Sequence, residues 1–555
     1  MILAGKDWKT MIDKKRLYDN MKRLVEIPSV SGTDQEIQGA YKLQELLLEI
    51  PYFNEHKDNV KLVPVYNDPL NRVIVTAYLE CCPESKKTVI LTGHYDVVDV
   101  EEFGSLQDDA YDVEKISKEM EKLALDEDAE KDYKSGEWLF GRGTADMKFG
   151  HAMCMELLRH FSEESGIKGN ILYTAVCGEE TNSEGMLRAV PFFNQMTEEK
   201  GLDYQALLLT ECYTVDEKAK EDTRYIHMGA SGKIMPMFFF AGESTHGEAP
   251  FMGMDPNLLS AELFTRMTMN VDFCQSARGE STPPPVCLKS QDLKTTYSVS
   301  TPMYAASYYN VITVDLNPEE AMEKLKKIAY DSFEAANVVY DDRALVYENK
   351  FGVSLQRHRP TPCVKTFSQI SEEAREHYKG NYDEYIGGLI KGWQADKLEM
   401  QDIAIKAVKR IYELSGNNKP TIVISIIPPY YPDVYPDTTD PKVKNLLACM
   451  DDVMDYAKSE YNTKLEERDY YMGLSDLSYT GLDESKNFDS LFKNVVGVNQ
   501  MYSLPEDDLK KFVVPGIVLG GYGKDFHKST ERLNKKYNFE ILPYLYIHLI
   551  KSLLK

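Results

Sequence analysis

No stretch of this 555-residue sequence approaches the roughly 18 consecutive apolar residues that a bilayer-spanning helix needs. The opening MILAGKDWKTMIDKKR also breaks into charge too soon to hold the apolar core of a signal peptide. Both absences predict a cytoplasmic protein that neither crosses nor docks on a membrane. Paired cysteines are missing too: the nine cysteines form no C-x-x-C, which predicts free thiols in a reducing compartment. The adjacent Cys81 and Cys82 read as loop thiols after a strand, with soft-metal binding as the alternative. Positive charge is scarce, with 64 Lys and Arg against 89 Asp and Glu and a net charge of -25. That balance argues against a nucleic-acid backbone as partner and favours cations, either metals or basic small molecules. There is no internal repeat and no low-complexity tail.

What is present is an ordinary globular composition, 43% hydrophobic and 28% charged, at a length that suggests two or three domains. Leu17, Met21, Leu24 and Val25 fall at helical spacing up to Pro28, Ser29 to Thr33 form a turn, and Leu43, Leu46 and Leu47 mark a second helix. Apolar runs at Val73–Tyr78, Thr88–Leu91, Ile171–Val176 and Ala206–Leu209 read as strands, with a helix over Met147–Phe161 between the second and third. Continuous apolar strands alternating with helices predict a largely parallel, buried sheet with helices on both faces. After residue 225 the texture changes. A strand over Ile234–Phe240, a helix over Asn257–Met269, a strand over Val311–Leu316 and a helix over Glu319–Asn337 predict a smaller inserted sheet-and-helix domain. Residues 340–418 take no assignment. A strand from Thr421 to Ile427, a helix over Pro441–Tyr461, the run Gly516–Gly521 and a final helix over Tyr537–Leu554 are expected to complete the first sheet. The expected layout is therefore 1–225 and 419–555 for the first domain and 226–418 for the insertion. The acidic stretch Asp108–Lys134 reads as a solvated surface insertion.

Ligands in open α/β sheets collect at the carboxyl ends of strands, and four polar clusters stand there. Gly93-His94-Tyr95-Asp96 ends one strand. A metal-bound imidazole needs its other nitrogen oriented, so His94 reads as a ligand with Asp96 as its partner; a plain strand-end hydrogen bond is the competing account. Gly141-Arg142-Gly143-Thr144-Ala145-Asp146-Met147-Lys148 leads into a helix, where Asp146 serves either as a cap or as a bridge between two cations. Glu179 and Glu180 sit side by side past a buried strand and repel unless a cation or a shared proton relieves them, or unless the loop is simply solvated. Glu211 ends a further strand. His246 lies in Ser244–Pro250 of the insertion, and His527 in the glycine-bearing loop 521–531. His56, His160, His358, His377 and His548 have no surrounding pattern, and His151, five residues past Asp146, is expected to face elsewhere.

The order G-H-x-D, G-R-G-x-x-D-x-K, G-E-E, a strand-end acid, a histidine in an inserted domain and a C-terminal histidine followed by Glu531 resembles the co-catalytic zinc peptidases and amidohydrolases. That group includes aminoacylases, glutamate carboxypeptidases and acetylornithine deacetylases. Ile27-Pro28-Ser29-Val30-Ser31-Gly32 also looks like the family's opening turn. The resemblance covers nearly the whole chain. It implies a zinc-aminopeptidase-like α/β fold with a mixed, mainly parallel sheet and an inserted α+β lid or dimerisation domain. It further implies two divalent metal ions, zinc by preference with cobalt or manganese as substitutes, bridged by Asp146. His94 and Glu180 would complete one shell and neighbour, with Glu211 and His527, the other site, the assignment of ligands to ions staying open. Glu179 would act as general base, Asp96 would orient His94, and His246 would stabilise the oxyanion, in dimeric relatives from the partner subunit, which implies a homodimer unless the enlarged insertion replaces the missing partner. Arg266 and Arg278 are both candidates to grip a substrate carboxylate. The chain departs from the pattern at Phe149, where relatives usually carry glycine, at Glu211, where many carry aspartate, and in the long gap between His94 and Asp146. Its length and acidity most resemble the arginine-utilisation branch called RocB. The implied reaction is amide hydrolysis of an N-acyl amino acid or short peptide in arginine or ornithine metabolism. An aminopeptidase or carboxypeptidase on longer peptides, and a non-catalytic metal-binding scaffold, are the alternatives.

Overall fold

A computed structural model describes residues 12–213, 220 and 222–555. Most of the opening segment read for a leader, residues 1–11, lies outside the described residues. The chain forms two compact units, one from residues 1–230, 434–482 and 505–555, the other from 231–433 and 483–504.

The first unit is built on strands β1 (Val60–Pro64), β2 (Val73–Leu79), β3 (Lys87–His94), β4 (Asn170–Val176), β5 (Asp203–Leu209), β6 (Thr223–Ala230), β7 (Lys464–Tyr471) and β8 (Gly516–Val518). They lie side by side in the order β1-β2-β4-β3-β5-β8-β6-β7. The four central strands, β4, β3, β5 and β8, run parallel. Antiparallel pairs flank them, β2 on β4 and β6 on β8, so the sheet is mixed with a parallel heart. Every residue of β4 is buried, which requires cover on both faces and explains why such strands read as unbroken apolar runs. Helices Gln35–Leu48 and Glu184–Lys200 pack on β2, Phe149–Glu163 on β3 and β4, and Pro441–Tyr461 on β5 and β7.

In the second unit, strands 286–292, 304–313, 236–241, 421–426 and 364–366 are neighbours in that order, and 232–234 also pairs with 304–313. The strand at Thr421–Ile426, expected to rejoin the first sheet, instead pairs antiparallel with 236–241. A run of six buried residues carries no label for the sheet it joins, so both placements fit the sequence equally. The strand expected at Val311–Leu316 is a longer strand, Tyr304–Thr313. The helix expected to end at Asn337 continues to Phe351. Residues left unassigned supply helices Phe367–His377, Tyr382–Ala395 and Met400–Leu414. Ile370, Ile386, Ile403, Val408 and Ile411 from these helices meet Met237, Phe239 and Ala241, alternate residues of one strand.

The acidic stretch is not merely solvated. Its helices Val113–Glu119 and Glu127–Ser135 bury Val113, Ile116, Ala129 and Asp132. The final helix expected over Tyr537–Leu554 is two, Lys535–Glu540 and Leu542–Leu553, broken where Pro543 removes an N–H donor.

Candidate metal centre

The parallel heart of the sheet ends at one rim. β3 finishes on His94, β4 runs into the Cys177–Ser183 loop with Glu179 and Glu180, β5 is followed by Glu211, and β8 leads toward His527. After β8 the backbone passes so close to Glu211 that a methyl group on Gly520 would fall 1.5 Å from the Glu211 carbonyl oxygen. The turn Thr144–Lys148 sets Asp146 against the same rim.

These side chains converge. His94 Nε2 lies 3.0 Å from Asp146 Oδ1 and 3.3 Å from Glu211 Oε2. His527 Nε2 lies 3.3 Å from Asp146 Oδ2 and 3.0 Å from Glu180 Oε2. Two ligand groups result, His94 with Asp146 and Glu211, and Asp146 with Glu180 and His527, each with its donor atoms within 4.8 Å of one another. Asp146 is common to both and turns one oxygen to each. The resemblance left the assignment of ligands to ions open; here His94 sits with Glu211 and Glu180 with His527. Glu179 stands apart from both groups, its Oε2 4.0 Å from His94 Nε2.

The chemistry of this donor set fits divalent cations. His94 Nδ1 is 3.0 Å from the Asp96 carbonyl oxygen, which only accepts, so Nδ1 carries the hydrogen. In the neutral ring Nε2 then points its lone pair at two carboxylates, an arrangement that calls for a proton or a cation between them. Glu211 Oε2 is buried and makes no hydrogen bond. Burial, compounded by neighbouring carboxylates, pushes Glu179 and Glu211 above their usual range and Glu180 to about 7. Burial opposes charge on Asp146 as well, but the imidazoles of His527 and His94 hold its pKa down. Asp146 and Glu180 in turn raise His527 to about 10. Imidazole and carboxylate in this ratio suit zinc.

A ring of residues holds the donors. The Asp96 carboxylate accepts the N–H of Glu179 at 3.2 Å and of Glu180 at 3.1 Å, while its carbonyl takes His94 Nδ1. Asp96 therefore orients His94 through its main chain and the Glu179–Glu180 loop through its side chain. Next to it, Glu36 accepts the N–H of Gly178 at 2.8 Å and Arg72 Nη1 at 3.0 Å, both groups buried. Gly178, at φ +69°, adopts the left-handed turn that aims the loop inward. Glu531 accepts the N–H of Ala145 at 3.2 Å and of Asp146 at 3.3 Å, and pairs with Arg142.

Sequence reasoning missed several of these. Glu36 has no motif that marks it, whereas Arg142 and Glu531 were visible within their motifs but had no role. His151 was expected to face elsewhere. Its ring makes no contact with the carboxylates, but its Nε2 donates to the His94 carbonyl at 2.6 Å while Tyr173 OH donates to its Nδ1 at 2.7 Å. Helical spacing from Asp146 hid this because the contact is to strand backbone. Asp476 was also unmarked. Both its oxygens are buried without a hydrogen-bond partner, and burial pushes it to about 8, with Glu211 and Asp96 adding to the rise. His246 belongs to the second unit, where it is exposed and 3.8 Å from Glu248. Of the two arginines considered for a substrate carboxylate, Arg266 is engaged by Glu262 at 2.5 Å, and Arg278 adopts a left-handed backbone at φ +52°.

The sequence profile of Peptidase family M20/M25/M40 matches residues 90–482. Two proteins of Bacillus subtilis (strain 168) are similar along nearly their whole length. Uncharacterized protein YqjN is 34% identical over 553 residues, covering 99% of this chain and 98% of its own. Protein RocB is 30% identical over 536 residues, covering 95% and 94%. Among solved structures, the M20 family metallo-carboxypeptidase Sso-CP2 from Sulfolobus solfataricus superposes with a TM-score of 0.54 at 12% identity, covering 98% of this chain and 100% of that one. It shares the fold.

Proposed function

The chain belongs to the peptidase family M20/M25/M40, in a branch with RocB and YqjN, and from this premise we propose that it hydrolyses an amide bond in an N-acyl amino acid or short peptide. The cofactors would be two divalent ions, zinc by the donor set, with cobalt or manganese accepted by the same ligands. His94, Asp146 and Glu211 would hold one ion, and Asp146, Glu180 and His527 the other. When bound, the ions polarise the scissile carbonyl and lower the pKa of water toward 7.

The protein's own residues supply the rest. Glu179 is the observation that carries the proposal: a buried carboxylate beside both ligand groups and a member of neither. Its carboxylate takes a proton from the attacking water and hands it to the leaving nitrogen. Asp96 and Glu36 keep the loop that bears it fixed against the sheet, so no reorganisation is needed during the reaction. His246 donates to the developing oxyanion. Its exposure supports action across a subunit boundary, and hence a homodimer.

A substrate carrying a basic residue such as arginine or ornithine is supported by the net charge of -25 and by the resemblance to the RocB branch. A cytoplasmic site of action is supported by nine unbonded cysteines. Among the described residues no helix is long and apolar enough to cross a membrane.

The test uses purified protein with zinc, cobalt or manganese and a panel of N-acetylated amino acids, dipeptides and longer peptides. Metal-dependent release of a free amino acid, fastest for basic N-acyl substrates, is expected. No turnover with any metal and substrate would overturn the proposal, and turnover confined to longer peptides would favour the peptidase alternative.

A further inference from the structure

The acidic stretch Asp108–Lys134 contributes no ligand, yet it reaches the loop that carries one. Helix Glu127–Ser135 is capped by Asp126, which accepts the N–H of Ala129 at 2.8 Å, and presents Asp128 and Asp132 one turn apart. Arg532, fully buried, donates Nε to Asp132 at 2.7 Å and Nη2 to Asp128 at 2.6 Å, and its Nη1 reaches Asp525. Lys524 bonds both helix carboxylates, at 2.8 Å to Asp128 and 2.9 Å to Asp132. Asp525 is itself the hub of the turn that follows. Its carboxylate accepts Thr530 Oγ1 at 2.8 Å and its carbonyl accepts the N–H of Lys528 at 3.0 Å.

His527 lies inside that turn. Both Asp525 and His527 are in the left-handed region, at φ +57° and +62°, a backbone that side-chain-bearing residues keep only when the surroundings enforce it. The side chain of His527 is half exposed, so little packing fixes it directly. Position therefore comes from the turn, and the turn is tied through Arg532 and Lys524 to the acidic helix, 392 to 404 positions earlier in the chain.

We infer that Asp128 and Asp132 of the acidic stretch are positioning residues for His527, so that binding of the ion held by Asp146, Glu180 and His527 depends on a helix that never touches it. The inference rests on the two-ion reading of the site and deepens it. The ion held by His94, Asp146 and Glu211 has no ligand in that turn and meets it only through the Asp146 N–H on Glu531, so it depends less on the helix. Loss of a residue that orients a metal-binding imidazole weakens affinity by about 10- to 100-fold.

The experiment titrates metal-stripped full-length protein with Co²⁺ by calorimetry, with ions counted by mass spectrometry and no substrate present. Wild type is expected to take two ions per chain. Asp128→Asn with Asp132→Asn is expected to bind the second ion about 10-fold or more weakly and to change the first affinity much less. Asp128→Asn alone, at a half-exposed side chain that leaves the fold intact, is expected to give a smaller loss at the same site. Unchanged second-ion affinity in the folded single or double variant would overturn the inference. So would an equal loss at both sites accompanied by a lowered melting temperature, which marks general damage. If wild type takes fewer than two ions, the two-ion reading fails before any variant is made, and the inference falls with it.

Discussion

Arg142 Nη1 donates to Glu531 Oε2 across 2.7 Å, a wholly buried ion pair between residues 389 positions apart. The other oxygen of Glu531 receives the N–H of Ala145 and Asp146, so the pair joins the glycine-bearing turn to the loop of His527. Removing one member of a buried pair leaves a charge without compensation. Arg142→Met is therefore expected to cost about 3–5 kcal/mol of stability, read by denaturant unfolding. Glu531→Gln, which still accepts the two N–H groups, is expected to cost less. Arg142→Met within about 1 kcal/mol of wild type would show that the pair is dispensable.

Glu179 is buried beside the ligand groups without joining either. Glu179→Gln is expected to lower kcat by about 10²- to 10⁴-fold, the usual contribution of general acid–base catalysis. Bound metal should stay at the wild-type level by elemental analysis. Activity unchanged in this variant would remove Glu179 from the proton-transfer role.

Asp146, Glu180 and Glu211 crowd one buried rim, and cations that bind the folded state alone stabilise it by mass action. Treatment with a chelator is expected to lower the melting temperature. Restoring metal at about 100 times its dissociation constant should return roughly 2.7 kcal/mol per site. Identical melting curves with and without chelator would mean that the carboxylates tolerate one another unaided.

His160 gives a pH dependence remote from the site. Burial, reinforced by Lys551, pushes it down to about 4 from an ordinary 6.5. Glu164 lies 3.1 Å away but offers little relief, because the same oxygen is already paired with Lys551 at 3.1 Å. The folded pKa is below the unfolded one, so the stability tied to His160 is complete above pH 6.5 and drains away as pH falls toward 4. After allowance for solvent at its rim, wild type is expected to lose roughly 2 kcal/mol more than His160→Gln over that range. Parallel stability curves for the two proteins would refute this.

His94, Glu180 and Glu211 were legible as candidate donors because each stands just past an apolar run, and strand ends in a parallel sheet share a rim, whereas Asp146 and His527 stood out only through their glycine-bearing loops. The division of these donors into two groups was not legible. Whether His94 meets Glu180 or Glu211 is decided by the order of strands in space, which periodicity does not encode. The same limit placed strand 421–426 in the wrong sheet. Charge density misled most at the acidic stretch. Asp132 and Asp128 look solvated in sequence, and only the fold reveals that Arg532 and Lys524 arrive to meet them.

His527 enters the polypeptide 347 residues after Glu180, with the whole of the second unit translated in between. The same late segment brings β8 alongside β5 and Glu531 to the N–H of Asp146, so the His94, Asp146 and Glu211 group also waits for it. Both candidate ligand groups therefore close together, and only once synthesis has passed residue 531.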